Sequence, residues 1–353
     1  MFRFIKINLG YIIVFALNVL GGGLTDEVET TTQSESIFEG KSVSEAINYD
    51  IYDENNQCKE IKHKERNFTS AMRRISEVKC LEYVWRTIVE ENEVNLRTDC
   101  SPRITIGGRP AFQGEFPHMG AVGWRSAFSE DEPKWVFKCG ASLISEKFML
   151  TAAHCSYISS RDASVARRQP EVVKMGDKYL VQDGNYPSLY QMRSFLGYRN
   201  MEISIRTQPK IIRIERIIKH EDYHAPKVYN DIALLELAES VEFGPLIRPA
   251  CLWTNMDTGG LGALSVSGWG VVDPKLSMIF IIMSYQNDKA SQEGDSGGPL
   301  QVKINLTQQW PMYFLVGITS FGYGCARANI PSVYTRTAGF VDWVESNVWP
   351  DNK

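Results

Sequence analysis

The sequence lacks the features that mark membrane, nucleic-acid and zinc proteins. None of its apolar runs reaches the roughly 20 residues that a membrane-spanning helix needs. Its 38 lysines and arginines do not outnumber its 42 acidic residues, so no basic excess suits nucleic acid or an anionic membrane. The seven cysteines never form the close C-x-x-C pairs of zinc sites. We therefore expect protein partners, and no metal or cofactor is implied.

The amino terminus has the pattern of a secretory signal peptide. Met1–Lys6 carries two positive charges, and an apolar run over about residues 7–20 ends at three glycines. A membrane anchor is the alternative, but this run is short and contains Asn8 and Asn18. We predict a signal peptide at 1–23 and a secreted, extracellular protein whose cysteines form disulfides.

Residues 24–103 predict a pro-segment. From Thr25 to Glu60 ten acidic residues stand against two lysines, and such a stretch buries too little apolar surface to order itself. From about Ala71 to Glu91 apolar residues recur at helical spacing, which predicts one amphipathic helix.

Residues 104–353 have a different texture. Short runs rich in Val, Ile, Tyr and Phe alternate with Gly and Pro, which predicts an all-β barrel or sandwich. Near the end, Phe340, Val341, Val344 and Val348 recur at helical spacing and predict a terminal helix. A length of 250 residues is compatible with one all-β domain.

Three segments of this domain carry His154, Asp231 and Ser296, in that order. A serine hydroxyl becomes a good nucleophile when a base takes its proton, and His154 can do so if a buried Asp231 fixes its tautomer. Glycines beside Ser296 allow a sharp turn that would aim the N–H groups of Gly294 and Ser296 at an oxyanion.

The order of these residues separates two classes of hydrolase. The serine segment also fits the G-x-S-x-G pattern of α/β-hydrolases, but in those enzymes the serine precedes the aspartate and histidine. The segments TAAHC (151–155), NDIAL (230–234) and GDSGGPL (294–300) together resemble the S1 family of chymotrypsin and trypsin. The resemblance implies two antiparallel six-stranded barrels with the triad in the cleft between them.

Two shorter motifs narrow the resemblance. Residues 75–80 (ISEVKC) and 116–119 (FPHM) are similar to the snake-type branch of arthropod clip-domain proteases. A complete clip domain has six cysteines, whereas only Cys58 and Cys80 precede Cys100, so that domain is truncated or absent. The resemblance implies a protein substrate, an upstream activating protease, an inhibitor of the serpin type and a role in an extracellular cascade.

The resemblance also implies disulfides and an activation step. It pairs Cys139 with Cys155, and Cys100 with Cys251, which would keep the pro-segment attached after cleavage. Family members are activated by a cut before an apolar residue, whose new ammonium group would pair with Asp295.

Two bonds fit the activation cut. The bond between Arg103 and Ile104 suits a tryptic activator, but counting back from Gly107 in the family's register makes Thr105 the new terminus. Two sequons predict glycosylation at Asn67 and Asn305.

The segment before the nucleophile departs from the family pattern. Trp269 and Ser296 are only 27 positions apart, which is too short for a strand, a disulfide-closed loop and a cysteine that the family places there. The second barrel is therefore predicted to be incomplete, with Cys325 as the unpaired thiol.

The specificity pocket is ambiguous for the same reason. The floor position, six residues before the serine, is Ala290, but a two-residue insertion would put Asp288 there and favour Arg or Lys substrates. The pocket walls are expected at Ser320, Phe321, Gly322 and Ser332, the last replacing a frequent glycine.

These departures leave three interpretations open. The first is an active endopeptidase, which the intact triad favours. The second is an inactive protease homologue that acts as a binding or regulatory protein. The third is a splice form or a faulty gene model.

Overall fold

A computed structural model describes twelve parts of the chain. These are residues 11–14, 66–71, 73–95, 114–128, 134–177, 180, 208–258, 261, 264–269, 296–305, 311–322 and 332–350.

The strands run in chain order as β1 (Tyr11–Val14), β2 (Met119–Arg125), β3 (Trp135–Leu143), β4 (Phe148–Thr151), β5 (Val172–Met175), β6 (Lys210–Lys219), β7 (Ala233–Leu237), β8 (Cys251–Leu252), β9 (Ser265–Val266), β10 (Pro299–Asn305), β11 (Pro311–Gly322) and β12 (Ser332–Arg336). The α-helices are α1 (Ile75–Asn95) and α2 (Val341–Val348). Strands predominate, as the sequence predicts.

The first barrel is closed by six antiparallel strands in the order β2-β3-β4-β7-β6-β5. Its interior is filled by side chains such as Val122, Met149, Val173 and Leu235, which are fully buried. Gly120 allows β2 to approach this core closely, because a Cβ there would lie 2.5 Å from the Met149 methyl carbon and 2.6 Å from a Val173 methyl. This barrel is the rigid support for the histidine and aspartate.

The second sheet is open among the described residues, in the order β1-β12-β11-β10-β9, with β8 parallel to β11. The expected incomplete second barrel is therefore confirmed. Strand β1, inside the predicted signal peptide, pairs antiparallel with β12, with Tyr11 opposite Thr335 and Val14 opposite Ser332. The signal peptide itself stays a prediction.

Helix α1 lies within the predicted pro-segment, close to the helix expected from the apolar spacing. The Glu77 carboxylate caps its start by accepting a hydrogen bond from the Arg74 N–H at 3.0 Å. Leu81, Trp85 and Ile88 are buried in a cluster with Phe314 of β11. The helix thus belongs to the core of the second sheet.

A disulfide joins Cys80 of α1 to Cys251 of β8, with 5.3 Å between the Cα atoms. The predicted pairing of Cys251 with Cys100 is therefore wrong. Cys80 lies on the buried face of a helix that packs on β8. This packing places Cys80, rather than Cys100, beside Cys251. Cys100 itself lies outside the described residues.

Ion pairs between side chains also link the two helices. Arg74 beside α1 pairs with Glu345 of α2 at 2.8 Å and with Asp342, and the Ser76 hydroxyl donates to Glu345 at 2.6 Å. The predicted terminal helix is present, with Val344 fully buried. Within the described residues, neither helix is both long and apolar enough to cross a membrane.

Candidate active site

His154 and Asp231 meet at one end of the first barrel. His154 sits in a 3-10 helix (Ala153–Ser156) directly after β4, and Asp231 lies two residues before β7. These strands are paired, with Thr151 opposite Ala233. His154, which follows β4, and Asp231, which precedes β7, are therefore neighbours. The strand pairing therefore explains why segments 77 positions apart in the chain build one site.

The contact between them fixes the imidazole. Asp231 Oδ2 lies 2.8 Å from His154 Nδ1, and Asp231 Oδ1 accepts the His154 backbone N–H at 2.9 Å. Because a carboxylate oxygen accepts, the proton is placed on Nδ1, and Nε2 is left with its lone pair to act as a base. Asp231 is 2 % exposed, so little water competes for this contact.

Two hydroxyl groups hold the aspartate. Ser320 Oγ donates to Asp231 Oδ2 at 2.5 Å, and Thr335 Oγ1 donates to the Asp231 carbonyl oxygen at 2.9 Å. Burial raises the pKa of the Tyr223 hydroxyl, and the negative charge of Asp231 raises it further. The sequence predicted Ser320 only as a pocket wall, and no pattern in the sequence indicated its bond to Asp231.

Ser296 is anchored through its backbone between the two sheets. The Gly140 N–H of β3 donates to the Ser296 carbonyl at 2.8 Å, and the Gly297 N–H donates to the Thr319 carbonyl at 2.8 Å. Gly297 has φ of 78°, and a Cβ there would lie 2.3 Å from Thr151 Oγ1. Only glycine fits at this position, because the conformation and the space both exclude a side chain.

The serine and histidine do not form a hydrogen bond in the described part of the chain. His154 Nε2 instead lies 3.6 Å from Cys155 Sγ, and the His154 side chain is 33 % exposed. Nucleophile–base hydrogen bonds are often long before substrate binds. The structure therefore brings His154 and Asp231 together and fixes the Ser296 backbone nearby, without closing the third contact.

A disulfide joins Cys139 and Cys155 beside this site, the pairing implied by the family resemblance. Their sulfur atoms and a His154 nitrogen lie within 4.8 Å of one another, a spacing that could suggest a metal site. The two sulfurs are bonded to each other and so are not thiolates, and thiolates are the form that binds metal. This group therefore forms one wall of the site rather than a metal centre.

The predicted pocket walls are adjacent in the second sheet. Ser320, Phe321 and Gly322 end β11, and Gly322 lies opposite Ser332, the first residue of β12. Asn67 is exposed, and Asn305 ends β10. The remaining predicted residues lie outside the described part of the chain and stay predictions: Arg103, Ile104, Thr105, Asp288, Ala290, Gly294 and Asp295.

A buried polar network joins the residue before β2 to β10 and was not predicted. His118 is 1 % exposed, and its Nε2 lies 2.6 Å from Gln301 Oε1. Gln301 Nε2 in turn donates to Ser267 Oγ at 3.0 Å. Burial lowers the pKa of His118 to about 4, so the imidazole is neutral at neutral pH.

The chain matches known proteins over the whole β domain. A family model described as Trypsin matches residues 105–188, 189–280 and 272–344. The chain is 30% identical to Serine protease snk of Drosophila melanogaster over 314 residues, which cover 77% of this chain and 64% of that protein. It is 29% identical to Serine protease Hayan of the same species, covering 70% of this chain and 39% of that protein. It is also 29% identical to Trypsin-1 of Astacus astacus, covering 69% of this chain and 99% of that protein.

The chain therefore spans less than two thirds of the length of the first two relatives, but nearly all of Trypsin-1 of Astacus astacus. The part that the family model matches, from residue 105 to residue 344, contains the closed barrel, most of the second sheet and the histidine–aspartate pair. The chain belongs to the trypsin-like S1 family of serine proteases, in the snake-type arthropod branch that its motifs indicate.

Proposed function

We propose that this protein is a secreted zymogen of a serine endopeptidase that acts in an extracellular proteolytic cascade. The observation that carries the proposal is the buried Asp231 carboxylate on His154 Nδ1, which leaves Nε2 as a base beside the anchored Ser296 segment. A merely structural histidine would not need an aspartate that is itself held by two hydroxyl groups.

In the proposed reaction, Ser296 Oγ attacks the carbonyl carbon of a peptide bond while its proton passes to His154 Nε2. The N–H groups of Gly294 and Ser296 bind the resulting oxyanion. The C–N bond then breaks as His154 returns the proton to the leaving amine. A water molecule repeats the sequence on the acyl-enzyme, which releases the acid and frees Ser296. Asp231 stabilises the imidazolium in both halves.

The names of two relatives support a protein substrate, and an upstream activator is proposed with it. They are named Spaetzle-processing enzyme (Drosophila melanogaster) and Phenoloxidase-activating factor 1 (Holotrichia diomphalia), names that describe the processing or activation of another protein. We propose cleavage of the Arg103–Ile104 bond or of the Ile104–Thr105 bond as the activation step, with Asp295 receiving the new terminus. The Cys80–Cys251 disulfide would then keep α1 attached to the protease domain. A serpin-type inhibitor is part of the same proposal.

A second candidate is an inactive homologue that binds or regulates other proteins. Two observations favour it: Ser296 makes no hydrogen bond to His154 within the described residues, and only 27 positions separate Trp269 from Ser296. An incomplete second barrel could leave the oxyanion hole unformed.

A fluorophosphonate probe distinguishes the two candidates, because it labels a serine only where the base and oxyanion hole both work. The secreted chain is cleaved at the activation boundary and incubated with the probe, with Ser296→Ala as the matched control. Labelling that disappears in the control supports the endopeptidase. A folded, cleaved sample that is not labelled contradicts it and supports the inactive homologue.

A further inference from the structure

Next to His154, the first barrel carries a loop with an excess of positive charge. This arginine loop, residues 157–171, leads from the 3-10 helix of His154 to β5. It contains Arg161, Arg167 and Arg168 against Asp162 and Glu171. Two further cations, Arg125 of β2 and Lys138 of β3, join the loop through ion pairs.

The two carboxylates of the loop are already engaged. Asp162 pairs with Lys138 at 2.8 Å and accepts the Ser164 hydroxyl at 2.6 Å. Glu171 is shared by Arg125 at 3.3 Å and Arg167 at 3.7 Å. Five cations therefore meet two carboxylates on this surface, and among the described residues Arg161 and Arg168 form no ion pair.

Arg168 is held in a defined position by contacts with Trp124, Tyr157 and Ile158. Its carbonyl accepts the Trp124 indole N–H and the Ile158 N–H, each at 2.9 Å. Its guanidinium donates to the Tyr157 hydroxyl at 2.7 Å and lies 5.7 Å from the centroid of the Tyr157 ring. Tyr157 is 52% exposed, and its N–H lies 3.5 Å from the His154 carbonyl.

The loop lies on the side of the site where the leaving part of a substrate would sit. The pocket walls end β11 and begin β12 in the second sheet, whereas the arginine loop continues from His154 into the first barrel. Lys138, which tethers the loop, directly precedes Cys139 of the disulfide wall. His154 gives its proton to the leaving amine. In the binding mode proposed below, the chain that follows this amine runs along the disulfide wall towards Tyr157 and Arg168.

We infer that Arg168, positioned by Tyr157, forms a cationic subsite that binds an acidic side chain just after the scissile bond of a protein substrate. The inference rests on the proposed function only in that the bound protein is called a substrate. Binding to this surface does not itself require hydrolysis. A planar guanidinium suits a carboxylate, which it can bind in a bidentate manner. A sulfated polysaccharide is the less favoured ligand, because the cluster is one short loop that contains two carboxylates rather than a continuous basic track.

The test measures binding rather than hydrolysis. The full chain carrying Ser296→Ala is titrated against two fluorescein-labelled peptides by fluorescence polarisation. One peptide begins Asp-Glu-Asp and the other, its uncharged counterpart, begins Asn-Gln-Asn. The acidic peptide is expected to bind more tightly, and Arg168→Gln should weaken it about fivefold with no effect on the neutral peptide. Tyr157→Phe, which removes only the hydroxyl contact, should have a smaller effect in the same direction.

Lys303→Gln is the matched control, since Lys303 is an exposed cation on β10 of the second sheet. Glu130, Asp131 and Glu132 lie between β2 and β3, outside the described residues, so the titrations are repeated with all three changed to amides to remove competing carboxylates. Equal affinity for the two peptides in both backgrounds overturns the inference. So does a loss in Lys303→Gln as large as in Arg168→Gln, or binding of heparin fragments without binding of the acidic peptide.

The fluorophosphonate experiment tests the proposed catalysis, and the peptide titration tests the subsite. Binding of the acidic peptide through Arg168 without labelling supports the subsite and contradicts the proposed catalysis. Labelling without binding of the acidic peptide supports the catalysis and contradicts the subsite.

Discussion

The disulfide between Cys80 and Cys251 makes a quantitative prediction. It closes a loop of 171 residues, and the chain-entropy relation for a loop of that length gives about 5 kcal/mol of stabilisation at 25 °C. Both cysteines are at most 4 % exposed, so alanine is the appropriate replacement, because it introduces no buried hydroxyl. We expect Cys80→Ala with Cys251→Ala to lower the free energy of unfolding by roughly 2–5 kcal/mol, as native disulfides commonly do.

Urea denaturation followed by tryptophan fluorescence measures this loss, and Cys100→Ala is the discriminating control. Positions 100 and 251 would close a loop of nearly the same length, so a Cys100–Cys251 bond would give a similar figure. The two pairings therefore differ in which variant is destabilised, and not in how much. A loss below about 1 kcal/mol in the double variant, or an equal loss in Cys100→Ala, would refute the structural assignment.

Three further predictions concern the site and the first barrel. Asp231→Asn should lower kcat by about 10⁴-fold with folding intact, because the amide favours the wrong tautomer of the histidine; a peptide substrate and a circular dichroism spectrum test both parts. Burial lowers the pKa of His118 to about 4, below the unfolded value near 6.5. Between these two pH values the unfolded chain binds a proton that the folded chain does not. The free energy of unfolding therefore falls by about 3 kcal/mol as the pH falls from about 6.5 to about 4. His118→Gln should flatten that slope in urea titrations, whereas the exposed His224→Gln should leave it; equal slopes would contradict the account. Lys174 and Asp177 form a buried pair at 2.8 Å, so Lys174→Met should cost about 3–5 kcal/mol in urea denaturation, and Asp177→Leu added to it should recover part of that loss; no recovery would show that the cost is not the unpaired charge.

The sequence predicted the class of fold and the pairing of His154 with Asp231 because both depend on short segments. The runs around His154 and Asp231 combine an apolar strand with the functional residue, so the strand signal and the site signal coincide. The glycine at 297 was predicted to permit a sharp turn, and it does so with a positive φ. The apolar spacing predicted a helix over about Ala71–Glu91, and the structure has one over Ile75–Asn95.

Long-range pairings were not accessible in the same way. Cysteine positions do not determine connectivity, and Cys80 meets Cys251 only because α1 docks on β8 through its apolar face. The hydroxyl of Ser320 reaches Asp231 from another sheet, across 89 positions in the chain. The arginine loop shows the same limit, since Arg125 and Lys138 join it through ion pairs that only the folded barrel creates.

Strand β1 gives the amino terminus two incompatible roles. Tyr11–Val14 lies within the segment expected to direct secretion, and the same four residues cover the outer edge of β12. A signal peptidase that removes residues 1–23 would leave the backbone N–H and C=O groups of Ser332–Thr335 without this partner. Exposed strand edges of this kind recruit other strands, including those of identical molecules. If the predicted signal peptide is removed, the same cut opens the edge of the second sheet, and the tendency of the protein to self-associate would change with it.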